Sequence, residues 1–308
     1  MKYKILITEP EYFDDNAIAK LKKIGQIDKI RLTRSELKLC IHKYDAILIR
    51  VETELNYDLL KNAKRLKVIG SATTGIEHID MSYAAKHNIK VFNLHGTHTI
   101  ATAEHTMCLM LSLSRNLPWA FDSLKSGVWE RHNFIGNNLY KKQLGIIGMG
   151  RIGSRVATLA NAFGMKVVYY DKNKKAVRWK YMPLKKLVAT SDIISIHASL
   201  NDSSRNLIDG NIIKLMKNSA ILINTARAAI VDYNSLIKSL KLKHIKSAAI
   251  DVYNNEPIGN NDAFIIEYAK SHNNLLITPH LGASTYETAF EAAMHISNTV
   301  AKYLLNNT

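Results

Sequence analysis

Two side chains in this sequence, an arginine and a histidine, are suited by type and position to proton transfer at a substrate that carries an acid group. Arg227 follows the apolar run Ile221–Asn224, and His280 follows the run Leu275–Ile277. A planar guanidinium suits two-point capture of a carboxylate or polarisation of an adjacent carbonyl. An imidazole with an ordinary pKa of about 6.5 suits proton exchange near neutral pH. These residue types predict that His280 takes the proton of a substrate hydroxyl while Arg227 holds the neighbouring carboxylate.

A glycine motif after another apolar run predicts where a dinucleotide would bind. Leu144–Ile147 indicates a buried strand, and Gly148-Met149-Gly150-Arg151-Ile152-Gly153 then opens a helix. In this G-x-G-x-x-G pattern the first glycine permits a tight turn, the second lets the backbone approach a pyrophosphate, and the third lets helix and strand pack. The N–H groups and positive dipole end at the helix start favour an anion there. An isolated motif of this kind could also be a flexible loop.

Asp171 supports the interpretation as a dinucleotide site. It follows the predicted strand Lys166–Tyr170 and lies about 20 residues after Gly150, where the acid that accepts from the adenine ribose is found. Its charge would repel a 2′-phosphate, so we predict NAD rather than NADP, and no metal site. Four basic residues keep NADP open as the alternative: Arg151, Lys172, Lys174 and Lys175.

Two carboxylates are candidates for orienting His280. Glu256 is the preferred one, because a carboxylate bonded to an imidazole fixes its tautomer and stabilises its protonated form. Asp251, at the end of the run Ser247–Ile250, is the alternative, although we expect it near the nicotinamide. Two structural alternatives also stay open. Arg227 could form a salt bridge between domains, and His280 could be a structural histidine.

The elements that must position these residues indicate an α/β fold. Apolar runs that each end in a polar residue or glycine, separated by helical stretches, predict a parallel sheet covered on both faces. Ligands of such sheets bind beyond the carboxyl ends of the strands, at the switch in strand order. We therefore expect these ends to meet in one crevice of a Rossmann nucleotide domain. The runs are Leu144–Ile147, Lys166–Tyr170, Asp192–Ile196, Ala220–Ile223, Ser247–Ile250 and Leu275–Ile277.

A second, smaller domain is predicted from the first part of the chain. Residues 1–98 and 280–308 are expected to form a flavodoxin-like substrate domain that includes a last helix over 286–305, and residues 99–279 the NAD-binding domain. The fold class is thus α/β with two doubly wound parallel sheets. The expected strands of the smaller domain are Tyr3–Thr8, Ile27–Leu32, Ala46–Ile49, Lys67–Ser71 and Lys90–Asn93. Its expected helices are Asn16–Ile24, Ser35–Ile41, Tyr57–Ala63 and Ser82–His87.

The stretch Thr99–Ser114 is apolar over most of its length and predicts a buried helix at the junction between the domains. It is also a candidate interface for a homodimer, although a core helix would show the same pattern. Pro118 marks the start of another helix, and Ser126-Gly127 follows as a break.

The composition favours an enzyme of two domains. The 308 residues are 47% hydrophobic and 22% charged, with a net charge of +16. Because the lysines are spread evenly, we expect a field that attracts anionic cofactors and acids rather than a nucleic-acid site. No stretch is apolar and long enough for a membrane span. The two cysteines and the short apolar core at the start indicate the cytoplasm.

Five motifs make the sequence resemble the D-isomer-specific 2-hydroxyacid dehydrogenases over nearly its whole length. They are A-E-H-T (103–106), G-I-I-G-M-G-R-I-G (145–153), L-I-N-T-A-R (222–227), D-V-Y-N-N-E-P (251–257) and T-P-H-L-G-A-S-T (278–285). The segment 114–131 is most similar to the 3-phosphoglycerate dehydrogenase branch.

The resemblance implies NAD-dependent hydride transfer and a homodimer, with Arg227, Glu256 and His280 as catalytic residues. It implies that Arg50 binds substrate and that the segment 71–75, including Ala72 and Thr73, offers backbone N–H groups to the carboxylate. The implied cofactor contacts are Thr74, Gly148, Gly150, Arg151, Ile152, Gly153, Asp171, His197, Ala198, Thr225, Ala226, Asp251, Gly282 and Ala283.

The substrate implied first is 3-phosphoglycerate, oxidised to 3-phosphohydroxypyruvate as in serine biosynthesis. Glyoxylate, hydroxypyruvate or D-lactate would keep the chemistry, and a non-enzymatic NAD sensor is a third hypothesis.

Several positions depart from the family pattern. His197–Asn201 reads H-A-S-L-N instead of H-x-P-L-T, and Ser71 replaces an arginine frequent in the branch. Ala228 replaces the usual glycine, which would cost about 1 kcal/mol in a left-handed backbone and could shift Arg227. The C-terminal regulatory domain of some phosphoglycerate dehydrogenases is not expected, because the chain ends at Thr308.

Overall fold

The computed structural model describes residues 3–94, 96, 98–256, 258–259 and 262–307. Pro257, the last residue of the D-V-Y-N-N-E-P motif, lies outside the described residues. The chain divides into two compact units, which we call unit 1 (Met1–His98 and Ser284–Thr308) and unit 2 (Thr99–Ala283). Within the described ranges, no helix combines the length and apolar character needed to cross a bilayer.

Unit 1 is built on a parallel sheet. Its strands are β1 (Tyr3–Ile7), β2 (Gly25–Lys29), β3 (Ala46–Ile49), β4 (Val68–Ser71) and β5 (Lys90–Phe92). Between them lie α1 (Ala19–Lys22), α2 (Arg34–Cys40), α3 (Tyr57–Leu60) and α4 (Met81–Lys86). The strand order is β2-β1-β3-β4-β5. Every residue of β3 is buried, because a central parallel strand is covered on both faces.

A helix from the other end of the sequence completes the core of unit 1. This helix, numbered α12 in chain order (Tyr286–Asn306), is capped by Thr285, whose side chain accepts from the amide of Thr288. A Cβ atom on Gly70 of β4 would lie 2.7 Å from Val300 Cγ2 and 3.0 Å from Ile296 Cγ1. The helix therefore packs so closely on the sheet that only glycine fits at position 70.

Unit 2 carries the larger sheet. Its strands are β6 (Gln143–Ile147), β7 (Lys166–Tyr170), β8 (Lys180–Tyr181), β9 (Ile193–Ile196), β10 (Ile221–Asn224), β11 (Ser247–Ile250) and β12 (Leu275–Ile277). Its helices are α5 (Thr99–Ser114), α6 (Leu117–Lys125), α7 (Arg151–Ala162), α8 (Leu184–Thr190), α9 (Gly210–Ile213), α10 (Tyr233–Lys241) and α11 (Ala263–Ser271). The parallel strands follow the order β12-β11-β10-β9-β6-β7-β8, so the order switches beside β6. The predicted α/β fold with two parallel sheets is confirmed.

The differences from the predicted elements have local causes. Strand β2 begins at Gly25, earlier than expected, because this glycine pairs with Tyr3 and a Cβ there would lie 2.3 Å from the Tyr3 carbonyl oxygen. Strand β8 was not predicted, since a polar strand of two residues has no apolar pattern. Residues 280–283 lie in unit 2 rather than in the smaller unit, because Asp251 accepts hydrogen bonds from Leu281 and Gly282.

Helix α5 belongs to the core of unit 2. Met107, Met110 and Leu113 are among its buried side chains, and they pack in the cluster that includes Ile146 of β6 and Val156 of α7. This arrangement corresponds to the core-helix alternative for the apolar stretch.

Candidate active site

The glycine loop lies between β6 and α7, where the strand order switches. Gly148 has φ +96°, and a Cβ atom there would lie 2.4 Å from the backbone nitrogen of Ala198. A Cβ on Gly153 would lie 2.1 Å from the carbonyl oxygen of Gly148. Both positions thus need glycine for packing. A Cβ on Gly150, in contrast, would meet nothing within 4 Å, so the second glycine faces open space.

The start of α7 is suited to an anion. Gly150 is the N-cap residue and offers no side-chain cap, which leaves the first amides of the helix, beginning at Arg151 and Ile152, without that partner. Open space in front of Gly150 and uncapped amides beside it are what a pyrophosphate would require. The described residues of the loop therefore fit the dinucleotide predicted from the sequence.

Asp171 lies at the end of β7 and contacts the same loop. Its Oδ2 accepts from the amide of Met149 at 2.9 Å, and its Oδ1 accepts from the amide of Asn173 at 3.3 Å. Lys175 Nζ lies 3.8 Å from Oδ1. The carboxylate is therefore fixed beside the glycine loop, with a lysine near it.

His197 and Ala198 lie after β9, on the other side of the loop. His197 Nε2 lies 2.8 Å from Ser195 Oγ, while Nδ1 is buried with no hydrogen-bond partner found among the described residues. Burial lowers the pKa of His197 to about 3, so its imidazole is neutral at physiological pH. The backbone of Ala198 packs against Gly148, and this close contact leaves no space for a Cβ atom at position 148.

A hydrogen-bond network after β10 shapes the turn that carries Arg227. The Asn224 side chain accepts from the amide of Ala226 at 3.1 Å and donates to the carbonyl of Arg227 at 3.1 Å. It also donates to the hydroxyl of Tyr233 at 3.0 Å. Arg227 Nη1 donates to the Ala226 carbonyl at 2.8 Å. This turn is therefore fixed by side chains as well as by the strand.

Ala228 does not introduce the backbone strain that its replacement of glycine suggested. It begins the short 3₁₀ turn Ala228–Ile230 and is absent from the described non-glycine residues with positive φ. The expected cost of a left-handed alanine therefore does not arise.

Glu256 and His280 form a direct pair. His280 Nδ1 lies 2.5 Å from Glu256 Oε2, and Glu256 Oε1 accepts from the amide of Tyr253 at 2.9 Å. His280 has φ +53°, an uncommon conformation for a residue with a side chain. Of the two carboxylates considered for this imidazole, it is Glu256 that contacts it.

The charges around this pair shift both pKa values. The hydrogen bond that His280 donates to Glu256 raises the pKa of His280 above its ordinary value, and the charge of Asp251 adds to this effect, while burial and Arg227 oppose it. Burial alone would raise the pKa of Glu256, but its hydrogen bond with His280 and the charges of His280 and Arg227 lower it overall. The three residues singled out from the sequence thus act on one another in unit 2.

Asp251 binds the segment that carries His280 rather than the imidazole itself. Its Oδ1 accepts from the Thr278 hydroxyl at 2.5 Å and from the Leu281 amide at 2.8 Å, and its Oδ2 accepts from the Gly282 amide at 2.9 Å. The sequence did not single out His105 for this site, yet its Nε2 lies 3.2 Å from Asp251 Oδ1. The remaining predicted cofactor residues of unit 2, Thr225, Ala226 and Ala283, follow β10 and β12.

Arg50 lies after β3 of unit 1. Its amide donates to Glu9 Oε1 at 2.8 Å, and its guanidinium carbon lies 4.0 Å from the centre of the Tyr12 ring. The Nη1 atom is buried with no hydrogen-bond partner found among the described residues. Burial raises the pKa of Glu9 above its ordinary value, and the Arg50 amide is the main group that opposes this effect.

The segment after β4 changes one expectation for unit 1. The amide of Ala72 donates to the Ile49 carbonyl at 2.8 Å, so it is engaged in the sheet and is not left for a substrate carboxylate. Thr73 donates its hydroxyl to Gly75 and lies 2.6 Å from Ser71 Oγ. Thr74, expected at the cofactor, is exposed.

Comparison with known proteins gives concordant results. Residues 107–282 match the family description "D-isomer specific 2-hydroxyacid dehydrogenase, NAD binding domain". The chain is 37% identical to a D-3-phosphoglycerate dehydrogenase of Methanocaldococcus jannaschii, over 98% of this chain and 57% of that protein. It is 35% identical to a glyoxylate reductase of Thermococcus litoralis, over 99% of this chain and 93% of the relative. The chain thus spans about half the length of the phosphoglycerate dehydrogenases it matches.

A solved structure is similar over the same range. D-lactate dehydrogenase from Aquifex aeolicus, determined in complex with NAD and lactic acid, superimposes with a TM-score of 0.83. The alignment is 28% identical and covers 98% of this chain and 96% of that one.

Proposed function

Because the chain belongs to the D-isomer-specific 2-hydroxyacid dehydrogenases, a family of NAD-dependent oxidoreductases, we propose that it interconverts a D-2-hydroxy acid and the corresponding 2-keto acid. The observation that carries this proposal is the contact of 2.5 Å between His280 Nδ1 and Glu256 Oε2. This pair lies beyond the carboxyl ends of β11 and β12, in the unit that contains the glycine loop.

The cofactor would be held by the loop and the strand ends of unit 2. The amides at the start of α7 and the open space at Gly150 suit its pyrophosphate, and Asp171 suits the hydroxyls of its adenine ribose. Ile152, Thr225 and Gly282 are among the further residues proposed to contact it. When bound, NAD supplies the hydride acceptor for oxidation of the acid.

Proton transfer is assigned to His280. Glu256 occupies Nδ1, so Nε2 is the atom that takes the proton of the substrate hydroxyl during oxidation and returns it during reduction. The negative charge of Glu256 stabilises the imidazolium that forms, as the raised pKa of His280 reflects. Both directions therefore depend on the same pair of side chains.

Substrate orientation is assigned to Arg227. The network of Asn224 and Tyr233 fixes the turn that carries it, and its charge acts on both Glu256 and His280. A guanidinium in this place can bind the substrate carboxylate next to the reacting carbon. Holding the acid in one orientation can supply a large part of a rate enhancement.

We propose 3-phosphoglycerate, oxidised as in serine biosynthesis, as the first substrate to test. Support comes from the relatives named as phosphoglycerate dehydrogenases and from Arg50, whose buried Nη1 is suited to a substrate anion. The smaller acids glyoxylate, hydroxypyruvate and D-lactate are the second candidates. Buried Ser71, in the place where the phosphoglycerate dehydrogenase branch often has arginine, supports them.

The test is a spectrophotometric assay with NAD and hydroxy acids, and with NADH and keto acids. We expect turnover with at least one acid, and its loss in His280→Ala with NADH binding retained. Replacing Arg50 by Ala should reduce activity on 3-phosphoglycerate much more than activity on glyoxylate. Tight NADH binding without turnover of any acid would instead support the sensor hypothesis.

We also propose a homodimer formed through helix α6 rather than through α5. Leu117, Phe121 and Leu124 follow the spacing of one helix face and are 58%, 61% and 58% exposed, and nearby Trp129 is 79% exposed. Clustered apolar groups of this kind are typical of protein interfaces. Phe121→Glu should convert the dimer to a monomer in light scattering, and an unchanged mass would contradict this interface.

The cytoplasm is proposed as the compartment. Cys40 and Cys108 are both free thiols, which is typical of proteins kept in a reducing environment.

A further inference from the structure

Helix α5 carries a polar stripe to which the proposed reaction assigns no role. Thr102, His105 and Thr106 are spaced so that they share one helix face, while most of the helix is apolar. Thr106 Oγ1 lies 3.0 Å from Thr225 Oγ1, beyond β10. A Cβ atom on Gly282 would lie 3.5 Å from Thr102 Cγ2. The stripe therefore contacts the turns after the strands of unit 2.

The imidazole in this stripe contacts a fully buried carboxylate. His105 Nε2 lies 3.2 Å from Asp251 Oδ1 and 3.4 Å from Thr278 Oγ1, and Asp251 is 0% exposed. An ionised carboxylate only accepts hydrogen bonds, and the Thr278 hydroxyl already donates to Oδ1 at 2.5 Å. Nε2 of His105 must therefore carry a proton and act as a donor.

This donor belongs to a set that keeps Asp251 charged. Burial alone would raise the pKa of Asp251, but hydrogen bonds from His105, Thr278 and the Leu281 amide outweigh it, so the pKa lies below its ordinary value. A buried charge is tolerated only with such a set of partners. Loss of one donor would weaken the remaining contacts as well, since all of them depend on the carboxylate staying in place.

Asp251 in turn fixes the segment on which His280 lies. It contacts the residue two positions before His280 and the two residues after it, by way of Thr278, Leu281 and Gly282. Between these anchors His280 has its left-handed backbone, with φ +53°. A residue in that conformation persists only when its surroundings enforce it.

We infer that His105 is a positioning residue for the reaction: by donating through Nε2 to Asp251, it secures the segment 278–282 and so holds His280 in its reacting position. This inference rests on the proposed function of His280. His105 exchanges no proton with substrate in this scheme. Its contribution is a hydrogen bond to Asp251, whose carboxylate in turn holds the residues on either side of His280.

Two substitutions of His105 distinguish the effect of the hydrogen-bond donor from the effect of side-chain volume. Leu in place of His105 fills a similar volume without a donor, whereas Gln keeps an N–H group. We expect His105→Leu to lower kcat about tenfold, the effect of one charged hydrogen bond, with KM for the acid changed less than about twofold. His105→Gln should retain kcat within about threefold. His132→Gln is the matched control, because His132 is an exposed histidine of unit 2, and this variant should behave as the wild type.

The tautomer of His105 gives a readout that needs no turnover. In protein labelled with ¹⁵N-histidine, the signal lost in His105→Gln identifies this residue, and we expect its Nε2 to be protonated at neutral pH. An unprotonated Nε2 would overturn the inference. An equal loss of kcat in His105→Leu and His105→Gln would overturn it as well. If the Leu variant fails to fold, the tautomer and the Gln variant decide. Wild-type protein without turnover on any acid would refute the proposed function and leave the tautomer as the test of His105.

Discussion

Replacing Glu256 by Gln tests the central pair of the site. Gln has the same shape and keeps an oxygen that can accept from His280 Nδ1, but it removes the negative charge that raises the pKa of His280. Oxidation of a hydroxy acid requires neutral His280, so activity rises with pH through the pKa of this residue. In the wild type this acid limb should lie above pH 6.5, the approximate ordinary value. In Glu256→Gln it should move to lower pH.

The size of the shift follows from the exposure of the two side chains, 43% for His280 and 36% for Glu256. A hydrogen bond between charged groups contributes about 1.5–3 kcal/mol when protected from water. Solvent at this partly exposed site should reduce the value to about 1 kcal/mol. Loss of this stabilisation of the protonated imidazole should move the acid limb measurably to lower pH. With orientation and charge stabilisation weakened, kcat should fall about 10- to 100-fold.

The assay is the pH dependence of kcat/KM for NADH formation, with the best acid of the panel. Glu267→Gln is the matched control, because Glu267 is an exposed carboxylate of unit 2 that contacts only Lys270 among the described partners. An acid limb that stays in place while kcat falls would show that Glu256 is merely a scaffold. A variant with unchanged kcat and unchanged limb would remove the pair from the mechanism.

Three further changes test other parts of the structure. Tyr233→Phe should lower the free energy of unfolding by about 1–3 kcal/mol and lower kcat/KM, because the Val252 carbonyl and the Asn224 amide lose their hydrogen-bond partner. Chemical denaturation and steady-state kinetics would check this, and wild-type values for both quantities would contradict it. Gly70→Ala should destabilise by about 1–3 kcal/mol through overlap with helix α12, while Gly259→Ala, with its nearest neighbour at 3.7 Å, serves as the control in thermal denaturation. Asp171→Ala should weaken NAD binding and narrow the preference for NAD over NADP. Fluorescence titration with NADH and NADPH checks this, and an unchanged ratio of the two dissociation constants would contradict it.

The strands that position the site could be predicted because buried parallel strands are continuous apolar runs. Polar residues that follow such runs at once or within three positions, such as Asp171 and Arg227, could therefore be placed at one edge of a sheet from the sequence alone. The short polar strand β8 could not, since two residues carry no periodicity. The start of β2 depended on the close contact between Gly25 and Tyr3, which only the folded chain shows.

The contacts between side chains were harder to predict than their neighbourhood. Sequence spacing left Glu256 and Asp251 as alternatives for His280, because the path of the segment after β11 decides between them. His105 was part of a recognised motif, yet its contact with Asp251 depends on how α5 rotates against the sheet. A polar stripe of Thr102, His105 and Thr106 within an apolar helix was the signal that could have identified it. Ala72 was assigned a contact that it does not make: its amide was expected to face the substrate carboxylate, but it donates to the Ile49 carbonyl in the sheet.

The packing of α12 on Gly70 has a consequence for synthesis on the ribosome. The five strands of unit 1 precede unit 2 along the chain, but their sheet lacks the cover of Ile296 and Val300 until α12 has left the exit tunnel. Unit 2, which ends at Ala283, has all of its strands earlier. Unit 1 is therefore completed after unit 2, and its apolar strands stay without the cover of α12 during that interval.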